Sequence, residues 1–434
     1  MKVRAFVMIA ALLASTSAFA QSGGRNLGTS YVGQVATKTG IIAANDTSGP
    51  KQIMSRTMHQ ARQPLTSFKV VFPNYWMNSS GQEVGSTGLV NNFPSASVAA
   101  SIEYPPGTCT QILFSGVATG TMATGVFSIT SDAITLNIPS GAFFGVRTFW
   151  QNTGGSAGIL TGGAITWLGD AGIPTAAGGV DLTVTCATFN GTTGLAPAGS
   201  VIVPLAIVAT TNQPAVCFIG DSISSGTTPG FLPDGTSGIT APLVNGSFGT
   251  IDISHGSMSA TLFSAVASTA PKLALYQYCT ILLDQLGIND VGASGAAAIE
   301  ASMQTIYSAF SANSAPPGQI VKTTLTPHTT STDSWATTVN QTVISAPAET
   351  SRTQLNADIR AKTFFTGDYL DVAAVTGTPT PNFQFWRNPV SHPSGCPLGP
   401  GFAWTDDGLH PNACAAKFIY LNQFPYPVTY FLHR

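Results

Sequence analysis

The chain has 434 residues, of which 44% are hydrophobic and only 8% charged, and its formal net charge is −2. That length accommodates two domains with a sizeable core, and the charged fraction is far below the roughly 25% of ordinary soluble domains. With neither a basic run nor an acidic tail, the composition argues against nucleic acid or an anionic membrane surface as a partner.

In chain order, Lys2 and Arg4 come first, then a short apolar stretch over residues 5–15, then Ala18-Phe19-Ala20 before Gln21. This is the order of a secretory signal peptide occupying residues 1–20. The stretch is too short to span a bilayer, and no later run of about 20 apolar residues follows. The expected mature protein is soluble, without stable membrane insertion, and secreted or periplasmic.

Residues 21–210 carry no helical pattern. Short β-type runs at 67–76, 98–104, 111–115, 125–138, 143–150, 181–188 and 200–209 are separated by Gly, Asn, Ser and Pro turns. Such spacing predicts an all-β sandwich or jelly roll. The Gly-rich stretch 154–163 reads as a long loop or hairpin tip. After Gln213-Pro214 the texture changes. Residues 215–220 form a continuous apolar run, as in a strand buried on both faces of a parallel sheet. Further strands are expected at 279–286 and 320–325, with helices over 296–310 and 351–363. Alternating strands and helices place a doubly wound α/β domain over 211–434.

Six cysteines in an exported chain permit disulfides. Cys109 with Cys186, and Cys396 with Cys414, are the preferred pairs. Cys217 and Cys279 lie in or beside apolar runs, where a buried thiol and a bond remain open alternatives.

The residues that carry chemistry cluster in the second half. In Gly220-Asp221-Ser222 a buried strand ends on a turn, which presents a serine at the sheet edge where open α/β folds bind ligands. Backbone N–H groups there can face a developing oxyanion. Gly256, after Ser254-His255, offers an unobstructed N–H. Gly287-Ile288-Asn289-Asp290 ends the next strand with a side-chain amide. Asp407-Gly408-Leu409-His410 delivers an imidazole together with the carboxylate that orients it; Asp406 competes for that role, and the spacing favours Asp407. Asp221, Asp290, His328 and Trp404 are candidate substrate contacts, with Trp386 a second candidate aromatic wall. Gly154-Gly155-Ser156-Ala157-Gly158 matches a nucleophile-elbow pattern but lacks its strand–turn–helix context. The six histidines form no metal-ligand motif, so no metal is expected.

Taken in order, these blocks resemble those of the SGNH (GDSL-type) hydrolases over roughly residues 215–425, with Ser222, Gly256, Asn289 and His410 at the four naming positions. The second block departs from the family wording: it lacks an Asn upstream of Gly256 and has Asp252 and His255 nearby. The resemblance implies a three-layer α/β/α domain with a five-stranded parallel sheet. It also implies ester hydrolysis without cofactor, and an oxyanion hole of Ser222, Gly256 and Asn289. An added β-domain resembles that of secreted bacterial carbohydrate esterases, whose substrates are acylated, typically acetylated, glycans. A lipase, arylesterase or thioesterase is the enzymatic alternative, and a non-hydrolytic glycan-binding protein the third.

Overall fold

The computed structural model describes residues 29–41, 44–155, 158–163, 168–175, 179–187, 200–225, 248–265, 270–379, 382–388 and 403–423. The expected signal peptide, Ser156 and Cys396 lie outside them.

The two larger antiparallel sheets among the described residues of the first half enclose its core. One runs in the order Tyr31–Gln34, Ala206–Thr211, Leu65–Pro73, Ser128–Thr130, with Ile134–Ile138 also paired to Leu65–Pro73. The other runs Thr119–Met122, Ala96–Glu103, Phe143–Asn152, Gln52–Gln60, Ala171–Thr175, with Cys109–Gln111 beside Ala96–Glu103. Side chains from both sheets meet in one apolar cluster that includes Phe68, Val70, Phe72, Val98, Ile102, Phe144, Val146 and Trp150. Because side chains alternate along a strand, Val71 points the other way. So do Ala206 and Val208, while Ile207 faces the β cluster. Those outward residues join the core of the second half, with Phe248, Ile251 and Val216. The first sheet is therefore covered on both faces.

The second half is built on a parallel sheet in the order Thr39–Gly40, Gly249–Asp252, Ala215–Ile219, Ile281–Asp284, Gln319–Thr323, Asp368–Leu370. Ala215–Ile219 and Ile281–Asp284 are buried at every position, as strands covered by helices on both faces must be. Helices Ala296–Asn313 and Ala346–Ala361 match the expected ones, the second starting earlier than its apolar pattern suggests. Ser345 caps it, accepting a hydrogen bond from the Ala348 N–H, with proline in its first turn.

Several expectations need correction. The parallel sheet has six strands, not five, because Thr39–Gly40 from the N-terminal half adds itself beside Gly249–Asp252. Residues 181–187 are not a strand: Asp181 accepts hydrogen bonds from the N–H and hydroxyl of Thr183 and closes a turn. The 125–138 run is two strands, Ser128–Thr130 and Ile134–Ile138; between them Ser131 stays bonded to Val70, but through its hydroxyl, which takes the Val70 N–H in place of a carbonyl. The 111–115 run keeps only its first residue in a strand, Cys109–Gln111. Within the Gly-rich stretch, Ile159–Gly163 is a strand paired with Ala44–Asp46. The strand Gln52–Gln60 was not anticipated, although it joins two neighbours in its sheet.

Disulfides link Cys109 to Cys186 and Cys217 to Cys279. The first matches the preferred pair, and the second resolves the open alternative in favour of a bond. Cys414 is also disulfide-bonded; its expected partner, Cys396, is outside the described residues.

Candidate active site

The loops that follow the parallel strands converge at the sheet's C-terminal edge. Past Ala215–Ile219, Gly220 leaves no room for a side chain: a Cβ there would run into Ser224 Oγ and come within 2.9 Å of Gln285 Oε1. The chain turns on Asp221, whose carbonyl accepts from the N–H groups of Ser224 and Ser225 and whose carboxylate accepts from Ile223 N at 2.8 Å. Ser222, half-buried, stands at the crest of that turn.

His410 Nε2 lies 2.8 Å from Ser222 Oγ, and His410 Nδ1 lies 2.6 Å from Asp407 Oδ2. The carboxylate holds its own segment as well, accepting from the N–H groups of Leu409 and His410 at 2.9 and 2.8 Å. Partial burial works against the charged Asp407. The hydrogen bonds from His410 and from the two backbone N–H groups outweigh it and keep its pKa below the usual carboxylate range. The i, i+3 spacing lets one turn supply both groups. Asp406 instead lies 3.5 Å from the Asn412 amide.

This turn is anchored from behind. The Gly408 carbonyl accepts from Thr329 N and from Trp386 Nε1, each at 2.9 Å. Gly408 has φ of +81°, and a Cβ on it would run into the Thr329 carbonyl oxygen. Trp386 and Trp404 are fully buried in a small cluster with Ala415. Neither is an aromatic wall of the cleft: they form the packing that carries the Asp407–His410 turn, which corrects the Trp404 expectation.

Two backbone N–H groups in these turns are left without a partner among the described residues. Along the Ser222 turn, the N–H groups of Asp221, Ile223, Ser224 and Ser225 all have partners, whereas that of Ser222 has none among the described residues. In the loop after Gly249–Asp252, the N–H groups of Ile253, Ser254 and His255 are bonded, and that of Gly256 is not. The space where a Gly256 side chain would go is open. Asp252 does for this loop what Asp221 does for the other, accepting from the N–H and hydroxyl of Ser254. Burial raises its pKa to about 6 even so. Asn289, exposed, donates one amide hydrogen to the Met258 carbonyl at 2.9 Å and so ties its own loop to that of Gly256.

Two expected substrate contacts have other occupations. Asp290 is buried and accepts from Ala260 N and Thr261 N at 2.7 and 3.0 Å, holding the start of helix Ala260–Ala265. Asp221 is fully buried beneath the turn, bonded to Gln285 Nε2 at 3.1 Å. Both carboxyls are buried and spent on holding backbone. His328, half-buried past Gln319–Thr323, is held below the ordinary histidine pKa, first by burial and then by the neighbouring His410, against the pull of Asp407. Sequence reasoning missed Gln285, which accepts from Asp221 N and Ser224 Oγ, and the buried Lys322–Asp284 pair next to it. The available signal was a charged residue interrupting the apolar run Ile320-Val321-Lys322. Among the described residues, no group of three or more His, Cys, Asp or Glu is arranged to hold a metal ion, and no helix is long and apolar enough to cross a membrane.

No family model matches the chain, and no curated protein matches it. Solved structures do. An acetyl esterase mutant determined with acetate ion is 15% identical, with a TM-score of 0.32 over 51% of this chain and 98% of its own. A family 3 carbohydrate esterase from Talaromyces cellulolyticus is 18% identical, with a TM-score of 0.32 over 50% of this chain and 98% of its own. A Bacillus subtilis protein is 13% identical, with a TM-score of 0.33, and spans 85% of this chain and 78% of its own.

Proposed function

We propose that the chain is an exported serine esterase of the SGNH type. Residues 1–20 are the signal peptide, 21–210 a β-sandwich unit, and 211–434 the catalytic unit. The observation that carries the reading is the unbroken relay from Ser222 Oγ through the His410 imidazole to Asp407, at 2.8 and 2.6 Å.

Chemically, the relay performs acyl transfer in two steps. As Ser222 Oγ attacks the ester carbonyl carbon, His410 Nε2 takes its proton, and Asp407 fixes the tautomer and stabilises the imidazolium. The oxyanion is met by the N–H groups of Ser222 and Gly256 and by the second amide hydrogen of Asn289; losing one such donor costs on the order of a hundredfold in turnover. His410 then returns the proton to the leaving alkoxide. Water, deprotonated by His410, attacks the acyl-serine; as the acyl–Oγ bond breaks and the acid leaves, His410 returns that proton to Ser222 Oγ. No metal or cofactor enters this scheme.

For the substrate we infer an acetylated oligo- or polysaccharide. The support is a weakly charged, exported chain whose β-rich half packs directly against the catalytic half. His328 lines the cleft beside the triad and contacts the substrate. The Cys396–Cys414 bridge, flanking Asp407 and His410, would tether their segment outside the cell.

The test is Ser222→Ala, which should abolish hydrolysis of p-nitrophenyl acetate with an unchanged circular dichroism spectrum, while an organophosphonate labels Ser222 in the wild type. Labelling at Ser156 would move the nucleophile and overturn the site. Acetyl esters and acetylated xylan should be better substrates than octanoyl esters; the reverse order would establish the lipolytic alternative.

A further inference from the structure

A buried ion pair lies under the loop that carries Asn289, and no step of the proposed reaction uses it. Lys322, on strand Gln319–Thr323, and Asp284, on strand Ile281–Asp284, both have side chains 0% exposed, and their charged atoms are 3.6 Å apart. Burying two charges in a parallel sheet carries a desolvation cost that their attraction must first offset, and an apolar pair of the same volume is often as stable or more so. Fold stability alone therefore does not account for the pair.

What the pair does hold is one residue at the root of a loop. Lys322 Nζ donates to the Leu286 carbonyl at 2.6 Å and to the Asp284 carbonyl at 3.4 Å. Asp284 Oδ1 accepts from Leu286 N at 2.8 Å, and Oδ2 accepts from the Tyr307 hydroxyl at 2.7 Å. Both backbone polar groups of Leu286 are thus clamped by opposite charges. On one side of Leu286, the Gln285 side chain reaches under the Ser222 turn, accepting from Asp221 N at 3.2 Å and Ser224 Oγ at 2.8 Å. On the other side, Asn289 is bonded to the Met258 carbonyl, and Asp290 to the start of the helix after Gly256. The loop 285–290 therefore touches both turns that supply the free N–H groups.

We propose that the Lys322–Asp284 pair is a positioning element of the oxyanion site, setting where Asn289 stands relative to the N–H groups of Ser222 and Gly256. This rests on the esterase reading. The pair touches no substrate; it acts through Leu286.

The test is a double-mutant cycle between the pair and Asn289. Lys322→Met with Asp284→Asn removes both charges, keeps the volume, and retains an acceptor for Leu286 N. In the wild-type background kcat for p-nitrophenyl acetate should fall at least tenfold, with KM within twofold. In the Asn289→Ala background the same change should alter kcat less than about twofold, because the donor being positioned is already gone. Equal losses in both backgrounds, or a kcat within twofold of wild type, would overturn the proposal. If the paired variant fails to fold, Tyr307→Phe, which removes only the hydroxyl on Asp284, should show the same coupling at smaller size, and additivity there would equally refute it. Activity persisting in Ser222→Ala would instead refute the esterase reading, so the two failures are distinguishable.

Discussion

Replacing Gly408 by alanine tests whether the Asp407–His410 turn is held where it is by its backbone contacts. A Cβ at Gly408 would run into the Thr329 carbonyl oxygen, and would lie 2.9 Å from the Thr329 carbonyl carbon and 2.7 Å from Trp335 Cζ2. Ordinary carbon–carbon contact begins near 3.5 Å, so the turn must retreat by roughly 1 Å. That retreat would stretch both 2.9 Å hydrogen bonds to the Gly408 carbonyl, from Thr329 N and Trp386 Nε1, and would carry the imidazole with it. A misplacement of about 1 Å at a reacting group costs about a hundredfold in rate. Alanine at φ +81° adds strain of roughly 1–3 kcal/mol, and Gly141→Ala isolates that part: Gly141 has φ +80° and nothing within 4 Å of its would-be Cβ. Both variants should lose thermal stability in a melting experiment, Gly408→Ala the more, because it adds the clash with Thr329 and two stretched hydrogen bonds to the strain. Only Gly408→Ala should lose about a hundredfold or more in kcat for p-nitrophenyl acetate. A Gly408→Ala enzyme with kcat within threefold of wild type would show that the turn is not held by these contacts, and equal kcat losses in both variants would assign the effect to strain alone.

Three further outcomes follow from the same geometry. Asp407→Asn should lower kcat by about 10⁴ through the wrong imidazole tautomer, whereas Asp406→Asn should stay within a fewfold; the opposite ranking in steady-state kinetics would exchange their roles. Serine at both Cys217 and Cys279, whose bridge spans a sequence separation of 62, should cost about 4 kcal/mol in the chain-entropy picture, read as a lower urea midpoint; an unchanged midpoint would contradict it. Burial pushes the Asp221 carboxyl up to about 7 against the opposing bonds from Ile223 N and Gln285, while its unfolded value is near 3.9. With the folded value the higher, the stabilisation from this group is fully present below about pH 4 and is lost as pH rises through 7. The urea midpoint of the wild type should therefore fall more between pH 5 and 8 than that of Asp221→Asn, and parallel profiles would count against a raised Asp221.

The candidate site was more legible in the sequence than its supports were. Ser222, Gly256, Asn289, Asp407 and His410 sit in short local blocks, each after a strand or sharing one turn; spacing pairs Asp407 with His410, and the resemblance of the ordered blocks supplied the rest of the constellation. Asp290 and Trp404 misled because a strand-end acid and a tryptophan beside a catalytic histidine look the same in sequence whether they face solvent or backbone. The first holds a helix start and the second lies in a buried cluster. Gln52–Gln60 escaped because its buried positions include Ser55, Thr57 and His59. His59 is accommodated there by bonds to Thr57 and the Thr37 carbonyl, contacts that no periodicity announces.

The relation between the two halves was also written in the sequence, in a form easy to pass over. A strand with one solvated face alternates, but Val70-Val71-Phe72 and Ala206-Ile207-Val208-Ala209 are continuous apolar runs within an otherwise alternating β region. The rule that reads 215–220 as buried on both faces applies equally here. A sheet covered on one side by its β partner needs a second cover, and among the described residues the largest other apolar cluster is the α/β core. The structure meets that requirement through Val71, Ala206 and Val208, which share a cluster with Ile251 and Val216. It adds Thr39–Gly40 to the parallel sheet itself, and a Lys272–Glu83 pair between the halves with both side chains almost fully buried. The strand carrying Ser222 and the loop carrying Gly256 both rise from elements that lean on the β-rich half. That half is thus part of what holds Ser222, the proposed nucleophile, in place.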